Sequence, residues 1–243
     1  MEFPAARDYQ LRYTIIGNNL ALRLSEADRN PECVEVLRDV YRVAGEMHQR
    51  WKEVPEYEAA YAESASTLAW QLIDVGEKVE ARQLLELAEP ILKRHVSDLP
   101  TSLYFYAKAR WGMAKTLAGS DPAAARQMLD EAAIALRGLT TTHPRILAFR
   151  WQLGELCFDI VETVSADTSG TAEDRRIATE LAMKEGVGLY QQLLAEKGGE
   201  VVLHDLGSIV ESSACLEHES VRQLLNDART SRDQQQINKP ELQ

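Results

Sequence analysis

Residues 68–88 read Leu-Ala-Trp-Gln-Leu-Ile-Asp-Val-Gly-Glu-Lys-Val-Glu-Ala-Arg-Gln-Leu-Leu-Glu-Leu-Ala, and their spacing decides the fold. Leu68, Ala69 and Leu72 precede Gly76, and Ala81, Leu85 and Ala88 follow it. Apolar positions three and four apart predict helices on both sides, and the glycine between them predicts a turn. Alanines at 69, 81 and 88 let two helices cross closely while Leu68, Leu72 and Leu85 fill the space between them.

The step Leu68-Ala69 has relatives along the chain: Ile16-Gly17, Trp111-Gly112, Leu153-Gly154 and Leu206-Gly207, roughly 42 to 53 residues apart. Glycine inside a helix costs about 1 kcal/mol against alanine, so its recurrence marks places where a neighbouring helix comes close. A regular recurrence of this length predicts stacked helical pairs. No stretch sustains the period-2 alternation of a half-buried strand, so the chain reads as all-α.

Punctuation supplies the bounds. A first helix is expected over Asp8 to Leu24, and Asn30-Pro31 then provides an N-cap and a proline suited to a first turn. The second helix runs to about Trp51, where Val54-Pro55 breaks it. Helices are expected over Glu56 to Val75 and over Lys78 to His95, the latter bent or cut short by Pro90. A third pair covers Ser102 to Leu117 and Pro122 to Leu139, capped by Asp121. The fourth begins after His143-Pro144, continues to about Val164 and, after the polar loop 165–171, runs on to about Lys197. Thr171 and Asp174 have the spacing of a capping box. Gly198-Gly199 stops that helix, and a shorter fifth pair is expected over Val201 to Ser213 and Glu219 to Arg232. These pairs form one domain over residues 1–232, with the polar stretch 233–243 as a disordered tail.

The order Leu68, Ala69, Leu72, Gly76, Ala81, Leu85, Ala88 resembles the tetratricopeptide repeat, and Trp111-Gly112 with Gly119, Ala125, Leu129 and Ala132 repeats part of it. The cadence of Pro55 to Leu103 is also similar to the repeat-bearing tails of some bacterial serine/threonine protein kinases, although no kinase catalytic signature is present. The resemblance is motif-grade over Tyr61 to Ala132. Pairs one and four run longer than the 34-residue pattern, Lys115 stands where an apolar residue is usual, and Arg150 where an aromatic is common. It implies a right-handed solenoid of about five antiparallel helical hairpins whose first helices line a concave groove. Carried across residue by residue, the groove positions are Glu63, Trp70 and Asp74 in pair two, and Tyr106 and Met113 in pair three. Trp151, Glu155, Phe158 and Asp159 follow in pair four. The same residue types at helical spacing also serve core packing. The carboxylate clamp of some such domains is not matched, because Thr14 stands at the expected lysine and the next first helix offers Glu63 and Asp74.

Function classes narrow accordingly. A net charge of −11 over 243 residues opposes phosphate tracking, so no nucleic-acid partner is expected. No apolar run approaches the roughly 20 residues that span a bilayer, and Met1 to Leu20 lacks a secretory apolar core. The expectation is a cytoplasmic protein with no membrane partner. Three cysteines cannot make a disulfide framework. Cys215 and His218 have ligand spacing, but a structural zinc normally takes four ligands and no second pair is near. Gly186-Val187-Gly188 imitates a dinucleotide fingerprint without its strand or third glycine. The reading is therefore a non-enzymatic scaffold with no cofactor and no catalytic residue. Its partner is a protein or peptide with basic and apolar residues, and the alternative is a regulatory or self-association module.

Overall fold

The computed structural model describes residues 4–97, 99–168, 170–197, 215 and 218–237. Among these residues the chain is all-α, with nine helices and no strand. It divides into two compact units, Met1–Gly119 and Ser120–Gln243.

The first unit holds α1 (Pro4–Glu26), α2 (Asn30–Arg50), α3 (Pro55–Asp74), α4 (Lys78–His95) and α5 (Pro100–Leu117). Each packs against the next, and α3 also packs against α5. Prolines 31, 55 and 100 sit in the first turns of α2, α3 and α5, where their missing N–H costs nothing. The expected Asn30 cap is corrected: Arg29 is the capping residue, without a side-chain cap bond. Asn30 is instead the first residue of α2, and its Oδ1 accepts a hydrogen bond from Gln71 Nε2 on α3 at 3.1 Å. Helix α4 buries Ala81, Leu84, Leu85, Ala88 and Leu92 and runs through Pro90 without stopping. That proline lies on the exposed side, where water is at hand for the carbonyl it leaves unbonded. Gly76 has φ +87°, and the N–H of Glu77 donates to Leu72 O at 2.8 Å, so α3 ends in the left-handed turn that favours glycine.

The second unit holds α6 (Pro122–Thr142), α7 (Leu147–Ala166), α8 (Ala172–Lys197) and α9 (Glu219–Ile237). Helix α7 packs against α6 and α8, and α8 packs against α9. The caps follow the sequence: Asp121 accepts from Ala124 N at 3.0 Å. Thr171 Oγ1 likewise accepts from Asp174 N at 3.0 Å and donates to the Asp174 carboxylate. Helix α9 continues five residues beyond the expected Arg232. The expected helix over 201–213, with Leu206-Gly207, lies outside the described residues, as do Gly198-Gly199 and residues 238–243.

The three apolar-glycine steps among the described residues are helix crossings. A Cβ on Gly17 would run into Val40 Cγ2, and one on Gly112 would lie 2.9 Å from Leu85 Cδ1. On Gly154 it would lie 2.8 Å from Tyr190 Cε2. Gly186 belongs to the same crossing, since its Cβ would stand 3.0 Å from Cys157 Cβ and 3.3 Å from the Gly154 carbonyl. The dinucleotide-like Gly186-Val187-Gly188 is thus interior helix, half of it a packing contact.

Candidate functional site

On α3, Glu63, Trp70 and Asp74 are spaced seven and four apart, which places them on one stripe of the helix. The facing stripe is on α5. The Glu63 carboxylate accepts from the hydroxyl of Thr101, and Trp70 Nε1 donates to the carbonyl of Lys108 at 3.0 Å. Both contacts join residues 38 positions apart, so the two helices lie alongside each other in constant register.

Around the indole the site is densely built. Trp111, fully buried, presents its ring edge-on to Trp70, with centroids 4.8 Å apart and planes at 74°. Lys108 Nζ stands 3.8 Å from the Trp70 ring centroid, and Lys115 Nζ stands 5.7 Å from it. These are cation–π distances. Gly112 opens the space, because a Cβ there would come within 3.4 Å of Trp70 Nε1.

Electrostatics distinguish the two carboxylates. Burial pushes the Glu63 carboxyl above the ordinary carboxylate range, and the Thr101 hydroxyl only partly offsets this. Asp74 is also raised by the surrounding protein, against the opposing pull of Lys115 and Lys108, but its exposure to water tempers the effect. A carboxyl whose folded pKa is raised destabilises the fold while ionised, and the cost disappears as acid protonates it. Glu63→Gln is therefore expected to raise the unfolding midpoint at pH 7 by about 2 °C. That advantage should shrink as the pH falls through the raised Glu63 pKa. Paired thermal melts at pH 7 and pH 4 check this, and a gain that grows on acidification would contradict it.

The other expected site residues divide. Tyr106 is half-buried on α5, but two residues from Lys108 it falls roughly 160° round the helix from the stripe facing Trp70. Met113 and Phe158 are corrected as ligand-facing positions, because both are buried. Phe158 packs against Tyr190, with centroids 5.7 Å apart, and nearly the whole girth of α7 around it is covered. In the second unit Trp151, Glu155 and Asp159 are half-buried at spacings of four on α7, forming a short stripe of their own. Lys108, Lys115, Thr101 and Trp111 are the site residues that the sequence reading missed.

Cys33, Cys157 and Cys215 are buried thiols, and burial and the neighbouring Glu185 hold the Cys157 thiol far above its ordinary pKa. Among the described residues no three His, Cys, Asp or Glu side chains are grouped as metal ligands, and no helix is long and apolar enough to cross a membrane. Comparison with protein-family models and with curated proteins finds no match for the chain.

Proposed function

We propose that the α3–α5 face of the first unit is a protein- or peptide-binding groove, and that the protein is a non-enzymatic scaffold of the tetratricopeptide type. In this reading the helices pair as antiparallel hairpins that stack within each unit as a right-handed solenoid, with first helices such as α3 and α5 side by side on the concave face. The observation that carries it is the half-buried Glu63 carboxylate, held above its ordinary pKa by burial, on the same stripe of α3 as a half-buried indole two turns away. A desolvated carboxylate gains most from a cationic group, so an extended segment with a basic residue at Glu63 and an apolar side chain towards Trp70 fits the face. Lys108 and Lys115 restrict the choice, since they repel a second cation near Asp74.

Random peptides displayed on phage and selected on the intact protein test this reading. Selected sequences are expected to combine Lys or Arg with an aromatic or large aliphatic residue. Their affinity should fall tenfold or more, about 1.4 kcal/mol, in Trp70→Ala with the helical content unchanged. A selection yielding only peptides that bind Trp70→Ala and Glu63→Gln as well as the parent would sink the proposal. A self-association reading draws on a separate feature, the apolar surface of α1, and is tested with it below.

A further inference from the structure

Helix α1 carries seven of the exposed large apolar side chains, among them Tyr9, Ile16 and Leu20 at 72%, 66% and 48% exposure. The rest lie scattered over other helices and their capping residues. Internal register says what this surface is built to receive. Aligning Ile16-Gly17 with Leu68-Ala69 places α1 on α3 with a constant offset of 52. The inner faces agree: buried Thr14, Gly17 and Ala21 correspond to buried Ser66, Ala69 and Ile73. Tyr9, Ile16, Asn19 and Leu20 then correspond to Tyr61, Leu68, Gln71 and Leu72.

On α3 that set includes the contact with α2. Tyr61 stacks on Tyr41 and His48, with centroids 5.1 and 5.5 Å away, and approaches Gly45 closely. Gln71 reaches Asn30 and Cys33 at the other end of α2. Leu68 and Leu72 are buried between them. On α1 the Tyr13 hydroxyl donates to Asp39 at the edge of α2, and the rest of the corresponding face has no helix over it among the described residues. Its exposed Tyr9, Tyr13, Ile16 and Leu20 amount to on the order of 500 Å² of apolar surface, the upper end of what a free monomer shows.

Charge chooses between occupants. Arg12 and Arg23 lie on this same side of α1, at helical spacing with Tyr9, Ile16 and Leu20. The nearby Glu26 is already tied to Arg23 at 2.6 Å. Two copies of the face would bring four arginines against two glutamates, which opposes self-pairing. We propose that α1 is a docking site for a single amphipathic helix of the α2 kind, bearing carboxylates opposite Arg12 and Arg23, which lies on α1 as α2 lies on α3. The proposal goes beyond the α3–α5 groove and shares no residue with it.

The test adds the helix in cis. A chain with an extra copy of residues 30–54 replacing Met1 and Glu2 puts Phe3 where Pro55 follows α2, which keeps the offset of 52, at the high effective concentration of a short linker. The addition is expected to raise the unfolding midpoint by about 4 °C and to slow tryptic cleavage after Arg12 and Arg23 by about tenfold. Ile16→Glu, on an exposed position, should abolish both gains. Exchanging Arg38, Arg42 and Arg50 of the added copy for Gln should enlarge them, more in 20 mM than in 500 mM salt. An addition that changes neither melting nor cleavage overturns the proposal. So does a concentration-dependent dimer of the unmodified protein that Ile16→Glu dissociates, because a second copy would then be the occupant. Peptide binding at Trp70 stays intact under either failure, which keeps this result separate from the groove reading.

Discussion

Trp111→Ala is expected to destabilise the protein by about 3–5 kcal/mol, the cost of emptying a fully buried indole site. Trp111 is the largest side chain with no exposed surface, and its edge-on contact with Trp70 adds a specific aromatic term to the area it buries. Domains of this size hold only about 5–15 kcal/mol in total, so the variant should unfold early in urea. Trp70→Ala is the informative partner. That ring is half-buried, and its removal loses the bond to the Lys108 carbonyl and the face on which Lys108 rests, at a cost of about 1–2 kcal/mol. Urea titrations followed by far-UV circular dichroism separate the two. Equal losses, or a Trp111→Ala loss below 1 kcal/mol, would mean that Trp111 does not hold α5 in place.

That contrast also marks how far the sequence could be read. Where a boundary rests on local chemistry it was legible: Asp121 and the Thr171–Asp174 box cap α6 and α8 as expected, and α4 spans Lys78–His95 as expected. Glu63 and Trp70 were named through the tetratricopeptide resemblance, and their separation of seven residues, close to two helical turns, puts them on one stripe of α3. Lys108 and Lys115 were not legible as site residues. Lys115 reads locally as a departure from an apolar pattern, and it acquires meaning only through the 38-residue offset between α3 and α5. No local period encodes a contact between helices that are not consecutive. Phe158 and Met113 failed for the opposite reason. Helix α7 buries Leu153, Gly154, Leu156, Cys157, Phe158, Ile160 and Val161, and a helix apolar on most sides offers no periodicity by which to tell one face from another. The exposed face of α1 escaped because its apolar residues look like core until the absence of a covering helix among the described residues is seen.

The sharpest test of the glycine crossings lies in the second unit. Gly154→Val is expected to cost about 3 kcal/mol, because the new side chain must displace a ring that has nowhere to go. Its Cβ alone would sit 2.8 and 3.1 Å from Cε2 and Cδ2 of Tyr190, a residue with no exposed surface that also packs on Phe158. Gly154→Ala meets the same ring with one methyl and gains helix propensity of about 1 kcal/mol, so a smaller net loss of about 1 kcal/mol follows. Gly188 supplies the control on the partner helix, since nothing lies within 4 Å of a Cβ built there. Gly188→Ala should therefore stabilise α8 by up to about 1 kcal/mol. The order Val, Ala, then the Gly188 variant, read from thermal melts of the three chains, isolates crowding from propensity. A Gly154→Ala protein as stable as Gly188→Ala would show that α7 and α8 do not meet at that glycine, and the crossing would have to be redrawn through Gly186 alone.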